Sequence, residues 1–135
     1  MRLTIDSFAW VEMIRGTPLG AEAQLAIRSA AACFTPSFVL AEVAYRCARD
    51  GFDDRQVAEE LRAIGESATV VPIRPEISVA AARATAELRE RAKAQGRPLA
   101  GLGDGIVLAT ARAAGSRVLT GDPHFRGLTE TVWLG

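Results

Sequence analysis

The sequence has one lysine, one histidine, one tyrosine and two cysteines, and it carries no net charge. Each scarcity excludes something. Cys33 and Cys47 share no CxxC or other metal-ligand spacing, so a thiolate metal site is not expected and both read as buried, reduced thiols. Sixteen basic residues balance sixteen acidic ones, so bulk charge gives no support to nucleic-acid binding. Any such contact has to come from local patches or from bound metal. No uninterrupted apolar run approaches the ~18 residues of a membrane span. Asp6 interrupts the N-terminal segment before the apolar core of a signal peptide can form. The reading is a cytoplasmic protein with no membrane partner.

What is present is a chain of 135 residues, which reads as one domain over 1–135 with room for one core. Leu3-Thr4-Ile5, Cys33-Phe34-Thr35, Thr69–Ile73 and Arg117–Thr120 are short, β-prone and apolar, and Thr131–Leu134 is a possible fifth strand. Helical stretches lie between them: Phe8–Ile14 closed by Gly16 and Pro18, Ala21–Ala32, Phe38–Arg49, a segment opened by Asp53-Asp54-Arg55-Gln56, a long one through Leu88, and Leu102–Ala114. Asp53 to Gln56 has the form of a capping box. Val57, Leu61 and Ile64 form one core-facing stripe, and Ile77, Ala81, Ala84 and Leu88 another. Strands alternating with helices predict an α/β fold with a mostly parallel sheet of four to five strands and helices on both faces.

Four carboxylates stand where charge is costly. Asp104 is the only charged residue between Arg97 and Arg112, and its neighbours at helical spacing are Gly101, Leu108 and Ala111. Glu42 falls between Phe38 and Tyr45 on one helix face. Asp6 leaves the first strand and Asp122 the fourth. Taken singly, each has an ordinary explanation: a helix-start charge for Asp104, an ion pair with Arg46 or Arg49 for Glu42, and a turn or cap for Asp6 and Asp122. Taken together, they fall at the carboxyl ends of parallel strands or at the starts of the helices that follow, the edge where open sheets bind ligands. Four acids on one rim repel each other unless a hard divalent cation sits among them.

The segments Ile5-Asp6-Ser7, Pro36–Val43, Leu102–Ala111 and Val118–Phe125 resemble, in order, the four motifs of PIN-domain ribonucleases, and most closely the VapC-like toxins of toxin–antitoxin modules. The resemblance spans nearly the whole chain. It implies a three-layer α/β/α PIN fold and endonucleolytic cleavage of RNA by metal-activated water, with Mg²⁺ or Mn²⁺ as cofactor. It also implies a homodimer and a small VapB-like antitoxin partner. Carried over residue by residue, Asp6 and Asp104 become direct metal ligands. Glu42 and Asp122 complete the acidic site, directly or through water. Thr120 takes the place of the small hydroxyl residue before the last acid, which orients water or a carboxylate. Gly103 and Gly105 flank Asp104 and are expected to loosen its helix start.

His124 reads as a surface-loop residue, with proton donation or RNA contact as the functional alternative. Trp10 and Trp133 read as core or dimer-contact residues, although these rings and Tyr45 have the chemistry to stack on bases. Other functions are excluded on the residues. Gly101–Gly105 lacks the third glycine of a dinucleotide fingerprint and does not follow the first strand. The only lysine, Lys93, lies in a helix, whereas a receiver domain needs one near its last strands. Position 8 is Phe, where an aspartyl phosphatase needs a second Asp. A housekeeping RNA-processing PIN nuclease and a catalytically weak RNA- or protein-binding PIN scaffold remain as alternatives.

Overall fold

Every strand of the sheet runs the same way, so all five present their carboxyl ends along one edge. The computed structural model describes residues 1–135. In chain order the elements are β1 (Arg2–Ile5), α1 (Ser7–Arg15), α2 (Pro18–Ser29), β2 (Ala32–Pro36), α3 (Ser37–Arg49), α4 (Asp54–Ser67), β3 (Thr69–Val71), α5 (Pro75–Ala94), α6 (Leu102–Ala113), β4 (Arg117–Thr120) and β5 (Thr131–Trp133). A short 3₁₀ turn, Pro123–Phe125, lies between β4 and β5. The sheet order is β3-β2-β1-β4-β5, which puts β1 at the centre. The predicted α/β/α layering and parallel sheet are both present.

The centre is apolar because it is covered on both faces. Leu3, Ile5, Val118 and Leu119 are buried in the middle strands, and Val39, Val43, Leu88, Val107 and Leu108 pack against them from the helices. Thr35 is one of the buried polar residues, and it is satisfied on both sides. Its hydroxyl donates to the Ile5 carbonyl (2.9 Å) and accepts from Trp10 Nε1 (3.2 Å), which ties β1, α1 and β2 together beneath the strand ends. Trp10 is therefore core, as read from the sequence, while Trp133 is half-buried on the edge strand.

Several sequence expectations shift. Pro18 opens α2 at its first turn and does not close the helix before it, because Thr17 caps the new helix by accepting from Gly20 N. The strand at Thr69 ends at Val71, so Pro72 and Ile73 lie outside it. Cys47 is buried, but Cys33 is only half-buried, and both thiols are free. The Asp53–Gln56 capping box is present as predicted. Within its helix Ile64 is buried, and Val57 and Leu61 pack against the core at its margin.

The glycines around Asp104 act as close-approach positions and do not loosen the helix. A Cβ on Gly105 would lie 1.9 Å from Thr85 Oγ1 and 2.7 Å from the Ala81 carbonyl oxygen. A Cβ on Gly103 would lie 2.7 Å from Phe38 Cε1 and 3.2 Å from Glu42 Oε2. Lacking side chains, the two glycines let the first turn of α6 press against α5 on one side and α3 on the other. That contact places Asp104 beside Glu42.

Candidate active site

The site is built from the ends of β1 and β4 and the starts of α1, α3 and α6. Asp6 follows β1 and caps α1, where its Oδ1 accepts from Ser7 N (2.8 Å). Its Oδ2 accepts from Thr120 Oγ1 (2.8 Å) at the end of β4. The same Thr120 oxygen accepts from Asp122 N (3.0 Å). One buried hydroxyl thus fixes both Asp6 and the chain leading to Asp122. Asp104 sits in the first turn of α6, and its Oδ2 accepts from Gly101 N (3.3 Å). Glu42, half-buried, reaches the rim from α3.

Burial and like charge act together here. Asp6 is only 3% exposed. Burial first, and then the charges of Asp104, Glu42 and Asp122, raise its pKa from an ordinary 3.8 to about 7, against the Thr120 hydrogen bond that lowers it. Asp104 is raised to about 6, by burial and by Asp122, against the opposing influence of His124 and the Gly101 amide. Glu42 is raised by burial and by Asp104, with the Ser7 hydroxyl and Arg46 working the other way. The arginine ion pairs of the chain involve other carboxylates, and among these four only Asp104 and Asp122 have a basic partner, the His124 ring. The Arg46 or Arg49 ion pair that offered an ordinary explanation for Glu42 does not form. The four predicted acids therefore lie close enough for their charges to act on one another, with Thr120 bonded to Asp6.

His124 departs from its sequence expectation of a plain surface-loop position. Its side chain is 21% exposed, and both ring nitrogens are engaged. Nε2 lies 2.8 Å from the Pro98 carbonyl, and Nδ1 lies 3.0 Å from Asp122 Oδ1 and 3.6 Å from Asp104 Oδ2. Burial alone would lower its pKa. The Pro98 carbonyl and the two carboxylates outweigh burial and raise it. The ligand atoms of Asp104, Asp122 and His124 all fall within 4.8 Å of one another, while Asp6 and Glu42 stand outside that tight group. His124 lies within the fourth motif, Val118–Phe125, but its contacts are not legible there, because its partner Pro98 is 26 residues away in sequence. Ser7, on the inner side of the pocket, was visible only as the neighbour of Asp6.

This donor set fits a divalent cation: oxygen-rich, anionic, partly desolvated, and lacking a resident counter-charge of matching size. The rim is apolar where Phe38, Leu99 and Leu102 are exposed. The largest groove, about 660 Å³, lies elsewhere, between α5, α6 and Leu128. It carries its own ion pairs, from Arg112 to Glu87 and Glu130, and gathers no convergent acids.

A family model described as the PIN domain matches residues 3–130 of the chain. No curated protein matches the sequence. Among solved structures, a toxin–antitoxin complex from Klebsiella pneumoniae superimposes with a TM-score of 0.70 at 19% identity, covering 98% of this chain and 98% of that one. VapC20 of Mycobacterium tuberculosis, described as a sarcin–ricin-loop-cleaving toxin, gives a TM-score of 0.70 at 16% identity over 96% of this chain and 98% of its own. VapBC2 of Rickettsia felis bound to promoter DNA gives 0.68 at 17% identity, covering 98% and 97%. At these identities the likeness is one of fold.

Proposed function

The chain belongs to the PIN-domain family, and from that premise we propose that it is a Mg²⁺- or Mn²⁺-dependent endoribonuclease acting as the toxin of a toxin–antitoxin pair. The observation that carries this reading is the gathering of Asp6, Glu42, Asp104 and Asp122, where burial first and then the neighbouring acids raise Asp6 to about 7 and Asp104 to about 6. Acids alone would repel the phosphodiester they have to approach. A divalent cation held by these residues would neutralise charge on the scissile phosphate and acidify a bound water.

The chain's own residues have distinct roles in this reading. Asp6 and Asp104 hold the cation directly, and Glu42 and Asp122 complete the set, directly or through water. Thr120 keeps the Asp6 carboxylate in one orientation through its 2.8 Å hydrogen bond. The structural neighbours described as toxin–antitoxin complexes support a cognate antitoxin partner, here a small VapB-like protein, and a homodimer is part of the proposal. The exposed Phe38 and Tyr45 on α3 offer apolar surface for such a partner. The whole of 1–135 is taken as one PIN domain. No helix is long and apolar enough to cross a membrane, and a cytoplasmic location is part of the proposal.

Partner-free protein should cut RNA with Mg²⁺ or Mn²⁺ and stop on addition of EDTA. Cleavage that continues in EDTA would remove the metal from the reaction. Co-expression with the product of a short neighbouring reading frame should yield a heavier complex. A monodisperse monomer at micromolar concentration that gains no mass would count against both the dimer and the antitoxin.

A further inference from the structure

We infer that His124 is itself a metal ligand, its Nδ1 joining Asp104 and Asp122 as a nitrogen donor and tilting the pocket toward first-row transition ions such as Mn²⁺ over Mg²⁺. The inference rests on the reading that the acid pocket holds a divalent cation, and it adds to the four-acid set.

The argument begins at the far side of the ring. A backbone carbonyl can only accept, so the 2.8 Å contact with Pro98 requires Nε2 to carry the hydrogen. In the neutral ring, Nδ1 is then the bare nitrogen. It faces two carboxylate oxygens, Asp122 Oδ1 at 3.0 Å and Asp104 Oδ2 at 3.6 Å, which are acceptors as well. These three atoms need a positive centre among them, which a proton on Nδ1 supplies in the metal-free protein and a divalent cation would supply by displacing that proton. Donor atoms at neighbouring positions around a small divalent ion lie about 3 Å apart, given metal–ligand distances of about 2.1 Å. The observed separations, all within 4.8 Å, are of that order.

The surroundings repeat a pattern common to histidine ligands, in which one nitrogen binds metal and the other donates to a backbone carbonyl that fixes the ring. Here the ring is held at both ends of its local segment. Asp122 caps the 3₁₀ turn by accepting from His124 N (2.9 Å), and Arg97 donates to the Pro123 carbonyl. The imidazole is therefore positioned by structure that serves no evident purpose for a solvated loop residue. Imidazole nitrogen adds little affinity for Mg²⁺, which prefers oxygen, and more for transition ions.

The chain contains a single histidine, so any imidazole signal from bound metal reports on His124 alone. Tag-free protein loaded with Mn²⁺ should show, by pulsed electron paramagnetic resonance, a ¹⁴N coupling that is absent from His124→Ala. By calorimetric titration, His124→Ala should weaken Mn²⁺ binding by about tenfold or more and Mg²⁺ binding by less than about threefold. Mn²⁺ bound to the wild type without nitrogen coupling would overturn the inference and leave the acid pocket standing, with His124 reduced to a charge partner. Equal losses for both ions would overturn the selectivity. If the wild type binds neither ion, both this inference and the proposed function fall. The wild-type spectrum decides the ligand question even if the variant does not fold.

Discussion

Helix α6 carries a charge cluster at each end, and the two are solved in opposite ways. In the last turn, Arg112 lies between Glu130 and Glu87, each at 2.6 Å, so the chain supplies both signs. In the first turn, Asp104 meets Asp6, Glu42 and Asp122, and the basic group paired with acids of this cluster is a histidine. The first cluster is complete and half-exposed. The second is more deeply buried and short of positive charge. Charge left uncompensated in a protected place persists only where something else supplies the compensation, and this marks the first turn as the working end.

The comparison is tested most severely at Asp104. Asp104→Asn should reduce RNA cleavage by at least ~100-fold with Mg²⁺ present, as expected for loss of a ligand or charge stabiliser in a metal site. Arg112→Ala, at the other end, should leave the cleavage rate within about twofold once its small stability loss is allowed for. Comparable losses in both variants would erase the distinction between the ends.

Next in size is the packing that positions the first turn. Gly105→Ala places a methyl against Thr85 Oγ1 and the Ala81 carbonyl. It should destabilise by about 1–3 kcal/mol, as overpacking does, measured by urea unfolding. An unchanged midpoint would mean that α5 and α6 separate at little cost.

The third test concerns metal-free stability. Asp6 and Asp104 have folded values of about 7 and about 6, above the ordinary 3.8. Their contribution is fully present below the ordinary value and is lost as pH rises through the folded values, so EDTA-treated protein should lose stability across that window. At about pH 8, Asp104→Asn should melt a few degrees above wild type in EDTA, for a relief of ~1 kcal/mol. The gap should close near pH 4, where protonation has already removed the charge, and should shrink or reverse with Mg²⁺, which stabilises wild type through binding. A lower mutant midpoint in EDTA at the higher pH would mean that Asp104 is simply a favourable helix-start charge.

The smallest effect belongs to the complete cluster. Its side chains are 41% exposed for Arg112 and 55% and 32% for the two acids, so solvent screens the pairs. Arg112→Ala should cost only about 0.5–1 kcal/mol, and less in high salt. A larger, salt-independent loss in melting experiments would point to packing of the Arg112 stem over Leu108.

The four acids were legible in the sequence because each stands beside a strong local signal: a strand end for Asp6 and Asp122, an apolar helical stripe for Asp104 and Glu42. Strand and helix identities came from the same periodicities, and β4 and the Asp53 cap were placed closely. What depended on tertiary proximity was not legible. The roles of Gly103 and Gly105 appear only when α3 and α5 are packed beside them, and His124 gains its meaning from Pro98 across the rim. The strand order β3-β2-β1-β4-β5 is likewise a property of packing and leaves no local trace.

The central position of β1 has a temporal consequence. Thr120 and Asp6, whose hydrogen bond fixes the pocket, are 114 residues apart, and β4 docks directly beside β1. While the chain is being synthesised, β1 has no β4 neighbour, and Asp6 has neither its hydroxyl partner nor Asp122. The half-made protein can form α1 through α4, but it cannot assemble the acids into one site. The acid site is thus completed only once β4 and the turn after it have joined β1.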